Sequence, residues 1–315
     1  MIRIREIMMQ PEHSVHQLPY EAARMLRLSA SQIRNLRIFR RSIDARKKPD
    51  VKIIYTVDVT VEGSENKILK RAACKRASIA PVSFYRPPKK REPGSHRPVV
   101  VGFGPAGMFA ALVLAIAGLR PIVLERGADA ATRHEKVQKF WQDGQLDPQC
   151  NVQFGEGGAG TFSDGKLTTR IKDSRCRKVL EEMVDAGAPE EILYDAKPHI
   201  GTDLLRGVVK NIREKINSLG GEVRFFAKVT GFEWNGDNIS AVILADGEKI
   251  ETDDVVLALG HSARDTFEML YKKGLNMSAK PFAVGVRIEH PQELINKSQY
   301  KEFYNHPRLG AADYR

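Results

Sequence analysis

Val99-Val100-Val101-Gly102-Phe103-Gly104-Pro105-Ala106-Gly107 is the stretch that decides the fold of this chain. Three apolar β-branched residues in a row read as a strand buried on both faces. The G-x-G-x-x-G then turns the chain into an apolar, alanine-rich helix, expected over Met108 to Ala117 and ended by Gly118. Pro121-Ile122-Val123-Leu124 is a second strand that finishes at Glu125. Each residue type has a mechanical reason. Gly102 permits the tight turn, Gly104 lets a pyrophosphate approach the backbone, and Gly107 lets the helix pack closely on the sheet. The helix N-terminus offers free N–H groups and a positive dipole end to phosphates. Glu125 stands 23 residues after Gly102. At a strand tip its carboxylate can accept ribose hydroxyls and would repel a 2′-phosphate. An isolated G-x-G-x-x-G is also found as an ordinary glycine-rich turn. Here the strand, helix, second strand and acid follow in the order of a dinucleotide site.

Downstream, Gly155-Glu156-Gly157-Gly158-Ala159-Gly160-Thr161-Phe162-Ser163-Asp164-Gly165-Lys166-Leu167 is a second glycine-rich stretch. Asp203 to Leu219 carries Leu204, Leu205, Val208, Val209, Ile212 and Ile216 at helical spacing. Glu222 to Phe226 reads as a strand. Two turn signals, Asn235-Gly236-Asp237 and Asp246-Gly247, divide the stretch from Val229 to Thr252 into a β-meander. Asp253 to Gly260 reads as the next strand.

Val101 to Gly127, with its Glu125-Arg126-Gly127 ending, resembles the FAD fingerprint of the glutathione-reductase-like flavoproteins. The resemblance implies FAD as cofactor, with Gly102, Gly104, Pro105, Ala106, Gly107, Glu125 and Arg126 around it. It further implies that Gly157, Gly158, Ala159, Gly160 and Thr161 pass beside the pyrophosphate and the flavin ring. Val229 would meet adenine through its backbone, and Ala258 to Gly260 would return to the pyrophosphate as an A-x-G motif. Together with Arg41 to Lys48 and Tyr55 to Val59, these stretches are similar to the bacterial FAD-dependent dehydrogenases termed NAD(FAD)-utilising dehydrogenases. An FAD-dependent oxidoreductase is therefore expected, moving hydride through flavin N5 on a small-molecule substrate, with NAD(P)H a candidate external reductant. Lys166, Ser163 and His261 are the catalytic candidates. Lys166 reads equally as a solvated loop residue, and a lone histidine is often structural. Thr161, His199, Asp164 and Arg170 stand behind them. The family's late glycine-rich closing motif does not follow Gly260, and after the strand-like Phe282-Ala283-Val284-Gly285-Val286 a C-terminally incomplete chain is expected. No second G-x-G-x-x-G or cysteine pair supports disulfide exchange.

Composition frames the rest. The 315 residues are 42% hydrophobic, enough for a sizeable core. Three scattered cysteines (Cys74, Cys150, Cys176) exclude a disulfide scaffold and signal no metal site. The longest apolar run, Gly107 to Leu119, is too short to cross a bilayer, and no secretory signal opens the chain, so a soluble cytoplasmic protein is expected. Residues 1–97 hold 22 Lys and Arg against 9 Asp and Glu, a surplus of 13, while the total of +11 leaves the remainder at −2. That asymmetry marks a boundary at the Pro-rich linker before Pro98.

The expected fold is α/β: a Rossmann-like FAD-binding domain with a β-meander, preceded by a small basic α+β module. The expected divisions are a basic module over 1–84, a linker over 85–97, the FAD-binding domain over 98–275, and the start of a substrate or cap domain over 276–315. Within the module, Ile2 and Ile4 suggest a strand, and Leu18, Ala22, Met25 and Leu26 a helix. Ser29 and Gln32 look like a capping box opening a second helix that carries Ile33, Leu36, Phe39 and Ile43. Val51 to Val61 alternates as a long strand. Arg34, Arg37, Arg40, Arg41, Arg46, Lys47 and Lys48 cluster on and after that second helix, with Arg37 and Arg41 on one helical face. Two readings stay open: a phosphate-binding surface, as in a flavoprotein acting on tRNA, or a solvated face, which is favoured because few aromatics interleave. A non-catalytic flavin-binding protein is the remaining alternative.

Overall fold

The computed structural model describes residues 1–81, 85–89, 92, 95–162, 165–169, 171, 173–282, 284–286 and 288–313. The chain divides into two compact units, one of Met1–Ser83, Glu190–Pro198 and Pro281–Arg315, the other of Phe84–Pro189 and His199–Lys280.

In the first unit, β1 (Ile2–Met9), α1 (Leu18–Leu26), β2 (Ile33–Asp44), β3 (Lys52–Val61), α2 (Glu65–Ala72) and β4 (Ala77–Ile79) follow one another. The sheet order is β2-β3-β1-β4, with every neighbouring pair antiparallel. Placing β3 between β1 and β2 gives the split βαββαβ of a ferredoxin-like sandwich. Ile2, Ile4, Ile53, Val57 and Val59 are fully buried, together with Leu18, Ala22 and Leu26 of α1. Burying one such Ile or Leu contributes about 1.5–3 kcal/mol. Tyr300, Leu309 and Ala312 of the C-terminal stretch join this core.

The expected second helix is instead strand β2. On its core-side face Ile33, Leu36, Ile38, Arg41 and Ile43 oppose Val61, Val59, Val57, Tyr55 and Ile53, with Ile43 exposed near the strand's end. The register shifts between Ile33 and Asn35 and again between Ile38 and Arg40. Each bulge adds one residue, so inward positions fall three, two, three and two apart. That spacing imitates a helical period. The Ser29–Gln32 capping interaction is real, with the Ser29 N–H donating to Gln32 Oε1 at 3.1 Å, but it closes a single 3₁₀ turn over Ala30–Gln32. Arg37 and Arg41 therefore share no helical face. Arg41 is inward and holds Asp195 Oδ2 at 2.6 Å, Arg34 holds Glu62 Oε1 at 2.7 Å, and Arg46 holds Asp44 Oδ2 at 2.7 Å.

In the second unit, β5 (Val99–Val101), α3 (Pro105–Ile116), β6 (Ile122–Leu124), α4 (Ala130–Asp143), α5 (Arg175–Asp185), α6 (Thr202–Ser218) and β7 (Glu222–Arg224) come first. A meander of β8 (Val229–Asn235), β9 (Asn238–Leu244) and β10 (Lys249–Glu251) follows, then β11 (Val255–Leu257) and α7 (Arg264–Lys272). The parallel sheet has the order β11-β5-β6-β7. Val99 and Val100 are fully buried, as a central parallel strand covered on both faces requires. Val99, Val101, Ile122 and Leu124 pack with Val229, Phe232, Val242 and Leu244 of the meander and Leu270 of α7. The helix after the first glycine turn begins at Pro105, three residues before the expected start, because Gly104 is its N-cap and proline suits the first helical turn. Strand β7 stops at Arg224, ahead of Phe226, whose φ of 56° departs from extended backbone. The apolar Phe282, Val284 and Val286 belong to no strand among the described residues. Also among the described residues, no helix is long and apolar enough to cross a membrane.

Candidate functional site

The site forms where β5 and β6 end. The Gly102 N–H donates to Leu124 O at 2.8 Å, and the Ala258 N–H to Val101 O at 2.8 Å, so the glycine turn lies between β6 and β11. Gly102 has a φ of 98°, and a Cβ there would stand 2.5 Å from Ala258 O. Gly107 faces the turn itself: a Cβ would overlap Gly102 O and lie 3.3 Å from Ala258 Cβ. Gly104 differs. A Cβ there would have nothing nearer than Gly158 Cα at 3.8 Å. Its bare face is open because it borders a cleft.

That cleft is lined by Gly102, Gly104, Pro105, Ala106, Glu125, Arg126, Gly158, Ala159, Val229, Ala258, Gly260 and His261 of the expected residues. The second glycine stretch, some 50 residues on, is thus brought against the first. The Gly157 N–H donates to Phe103 O at 2.9 Å, and a Cβ on Gly158 would stand 3.0 Å from Pro105 Cδ. Gly107, Gly157 and Thr161 stand behind the cleft wall. Thr161 is buried, and its hydroxyl donates to Gly158 O at 2.9 Å. Gly160 does not line the cleft.

Glu125 is buried, and both carboxylate oxygens accept backbone N–H groups: Oε2 from Phe103 and Oε1 from Gly127, each at 2.8 Å. The carboxylate braces the glycine turn while still lining the cleft. Arg126 reaches across to α7, donating to Asp265 Oδ1 at 3.0 Å and Thr266 Oγ1 at 2.9 Å, with its guanidinium 4.4 Å from the Phe154 ring centroid. Burial works against the Asp265 anion, but hydrogen bonds from Arg126 and Lys228 prevail and hold its pKa well below the usual carboxylate range.

Of the catalytic candidates, His261 lies on the cleft, its Nδ1 sharing a hydrogen bond of 2.7 Å with Ser262 Oγ. Lys166 is exposed and forms a β-bridge with His199, away from the cleft lining. Ser163, Asp164 and Arg170 lie outside the described residues. Among the described residues, no group of three or more His, Cys, Asp or Glu side chains is placed to hold a metal ion.

Two residues escaped the sequence reading. Arg133 of α4 is fully buried under the second glycine stretch, and burial lowers its pKa to about 10. Glu156 is also fully buried. Its Oε2 accepts the Ala130 N–H at 2.7 Å, while Arg213 Nε stands 3.2 Å from an Oε1 that no donor reaches in line. Burial pushes its carboxyl pKa up.

The second unit has a Rossmann-like fold, with the parallel sheet order β11-β5-β6-β7. Residues 281–315 match the family described as FAD-dependent protein, C-terminal domain-like, and residues 1–60 a domain family of unknown function (DUF8436). Over all 315 residues the chain is 52% identical to an uncharacterized protein of Clostridium beijerinckii, and it spans 59% of that relative's length. Among solved structures it is similar to Thermovibrio ammonificans THI4, at 18% identity and a TM-score of 0.38, over 57% of this chain and 64% of that one. L-proline dehydrogenase from P. horikoshii matches at 16% identity and a TM-score of 0.32, over 59% and 58%. Similarities of that size carry no weight on activity.

Proposed function

We propose that the second unit binds FAD and that the protein is an FAD-dependent oxidoreductase of a small molecule, transferring hydride through flavin N5. The observation that carries this is the meeting of Gly104 and Gly158 across the cleft, where a Cβ on Gly104 would find nothing within 3.8 Å. Bare backbone on both walls, with the twelve-residue helix α3 starting at Pro105, suits a diphosphate better than side-chain-lined surface would. The β-meander beyond β7 and the second glycine stretch favour FAD over a plain nicotinamide site. The name of the family matched by residues 281–315 agrees with that choice.

In this reading Gly102, Gly104, Pro105, Ala106 and Gly107 present the helix N-terminus to the diphosphate. Glu125 braces the turn and meets the ribose. Val229, Ala258 and Gly260 offer backbone along the remaining wall. Bound there, FAD would supply hydride chemistry at N5, and the part of these residues would be orientation and nearby charge. His261, with Nδ1 tied to Ser262, keeps Nε2 for a substrate proton. Lys166 and Ser163 rest on the resemblance alone as catalytic groups, and Lys166 does not line the cleft. No ligand is assigned to the basic module; of its seven clustered basic side chains, Arg34, Arg41 and Arg46 are engaged by carboxylates.

The test is an absorbance spectrum of the purified protein with added FAD, then anaerobic titration with NADH and with NADPH. Flavin bands that bleach on titration support the assignment, and His261→Asn should slow bleaching at unchanged flavin content. A colourless protein that takes up no FAD rejects it.

A further inference from the structure

Arg133 donates from all three guanidinium nitrogens to residues 151–161, the second glycine stretch and the residues just before it. Nε donates to Asn151 O at 2.9 Å and Nη2 to Val152 O at 2.8 Å. Nη1 reaches Gly155 O at 3.3 Å, Glu156 O at 2.7 Å, Gly158 O at 2.8 Å and Thr161 Oγ1 at 3.0 Å. Among the described residues it forms no ion pair, although it is 0% exposed. A buried cation held by carbonyls, one hydroxyl and the Phe162 ring, without a direct ion pair, is costly to keep. Only a planar fork with five donors can hold so many acceptors at once, and a lysine ammonium offers three donors from one point.

Peptide planarity extends the consequence to the opposite edge of the loop. In a trans peptide the N–H points away from the carbonyl before it. The Gly155 carbonyl turns to Arg133, and the Glu156 N–H goes the other way, to Ala128 O at 3.0 Å. The Glu156 carbonyl does the same, and the Gly157 N–H reaches Phe103 O in the first glycine turn. The Gly158 carbonyl is held too, which turns the Ala159 N–H away from Arg133, on a residue that lines the cleft.

We propose that Arg133 is the positioning residue of the cleft: its guanidinium draws the loop's carbonyls inward, which ties the Glu156 and Gly157 N–H groups to the neighbouring chain and leaves the Ala159 N–H presented to the anionic oxygens of the bound dinucleotide. The identity of that ligand rests on the flavin reading above. The setting of the loop does not.

The experiment compares the full chain with Arg133→Lys and Arg133→Ala by hydrogen exchange and by FAD titration. In Arg133→Lys, amides of residues 151–161 should exchange at least tenfold faster, those of β8 and β9 should be unchanged, and FAD affinity should fall at least tenfold. In Arg133→Ala, millimolar guanidinium should restore both loop protection and affinity, and ammonium should not. A lysine variant with wild-type loop protection overturns the proposal, as does a folded alanine variant that guanidinium leaves unrescued. If both variants fail to fold, the wild-type chain decides by nitrogen-15 resonance: slowly exchanging, rotationally hindered Arg133 Nη protons support the assignment, and freely rotating ones refute it. If wild-type protein takes up no FAD while the loop still loosens in Arg133→Lys, the ligand is wrong and the positioning role stands.

Discussion

Two glycines of one motif should fail in opposite ways when replaced by alanine. At Gly107 a Cβ would overlap Gly102 O, stand 2.9 Å from Gly102 C and press on Ala258 Cβ at 3.3 Å. The obstruction is backbone, which no rotamer change relieves. Overpacking a core costs about 1–3 kcal/mol, so Gly107→Ala should lose roughly 3 kcal/mol or more. At Gly104 the nearest atom to a Cβ would be 3.8 Å away, and its φ of −73° suits alanine. Reduced unfolded-state freedom offsets the poorer N-cap, leaving stability within about 1 kcal/mol of wild type. That methyl enters the cleft instead. Losing one charge-assisted hydrogen bond to the diphosphate, worth about 1.5–3 kcal/mol, weakens FAD roughly ten- to a hundredfold. Urea midpoints and flavin fluorescence titration measure the two effects separately. Wild-type FAD affinity in a stable Gly104→Ala chain would mean that no diphosphate lies against Gly104.

Further outcomes follow from buried groups. Asp58 holds the buried Arg3 through two hydrogen bonds of 2.7 and 2.8 Å, so Asp58→Ala should cost about 3–5 kcal/mol in urea denaturation by leaving a buried charge unpaired. The raised pKa of Glu156 means the folded state favours the protonated carboxyl. Its destabilising share is absent below the unfolded pKa and grows as pH rises through the folded value. Glu156→Gln should therefore gain on wild type in urea midpoint from the ordinary carboxylate range upward, and parallel pH profiles would contradict this. Cys150 is 2% exposed and burial raises its thiol pKa, whereas Cys74 and Cys176 are partly exposed. A thiol reagent at neutral pH should label two cysteines quickly and Cys150 only on unfolding.

The Rossmann-like half was legible because its signals are local. A strand, a glycine turn and an acid at a strand tip announce themselves within 27 residues, from Val99 to Glu125. The meander was equally legible from its two turns. Residues 33–44 were not, because two bulges broke the alternation that would have marked a strand and left a near-helical spacing in its place. Arg133 was hidden for another reason. Its partners are mostly carbonyls 18 to 25 residues further on, and a carbonyl leaves no mark on residue type. Glu125 was singled out in the sequence as a ribose contact, but its two backbone hydrogen bonds could not be read from spacing.

The most direct measurement is a crystal structure of the protein grown with FAD. A diphosphate should lie across Gly102 to Gly107 with Gly158 and Ala159 on its far side and the ribose beside Glu125. FAD bound at another surface, or a cleft filled by the protein's own side chains under saturating cofactor, would contradict it.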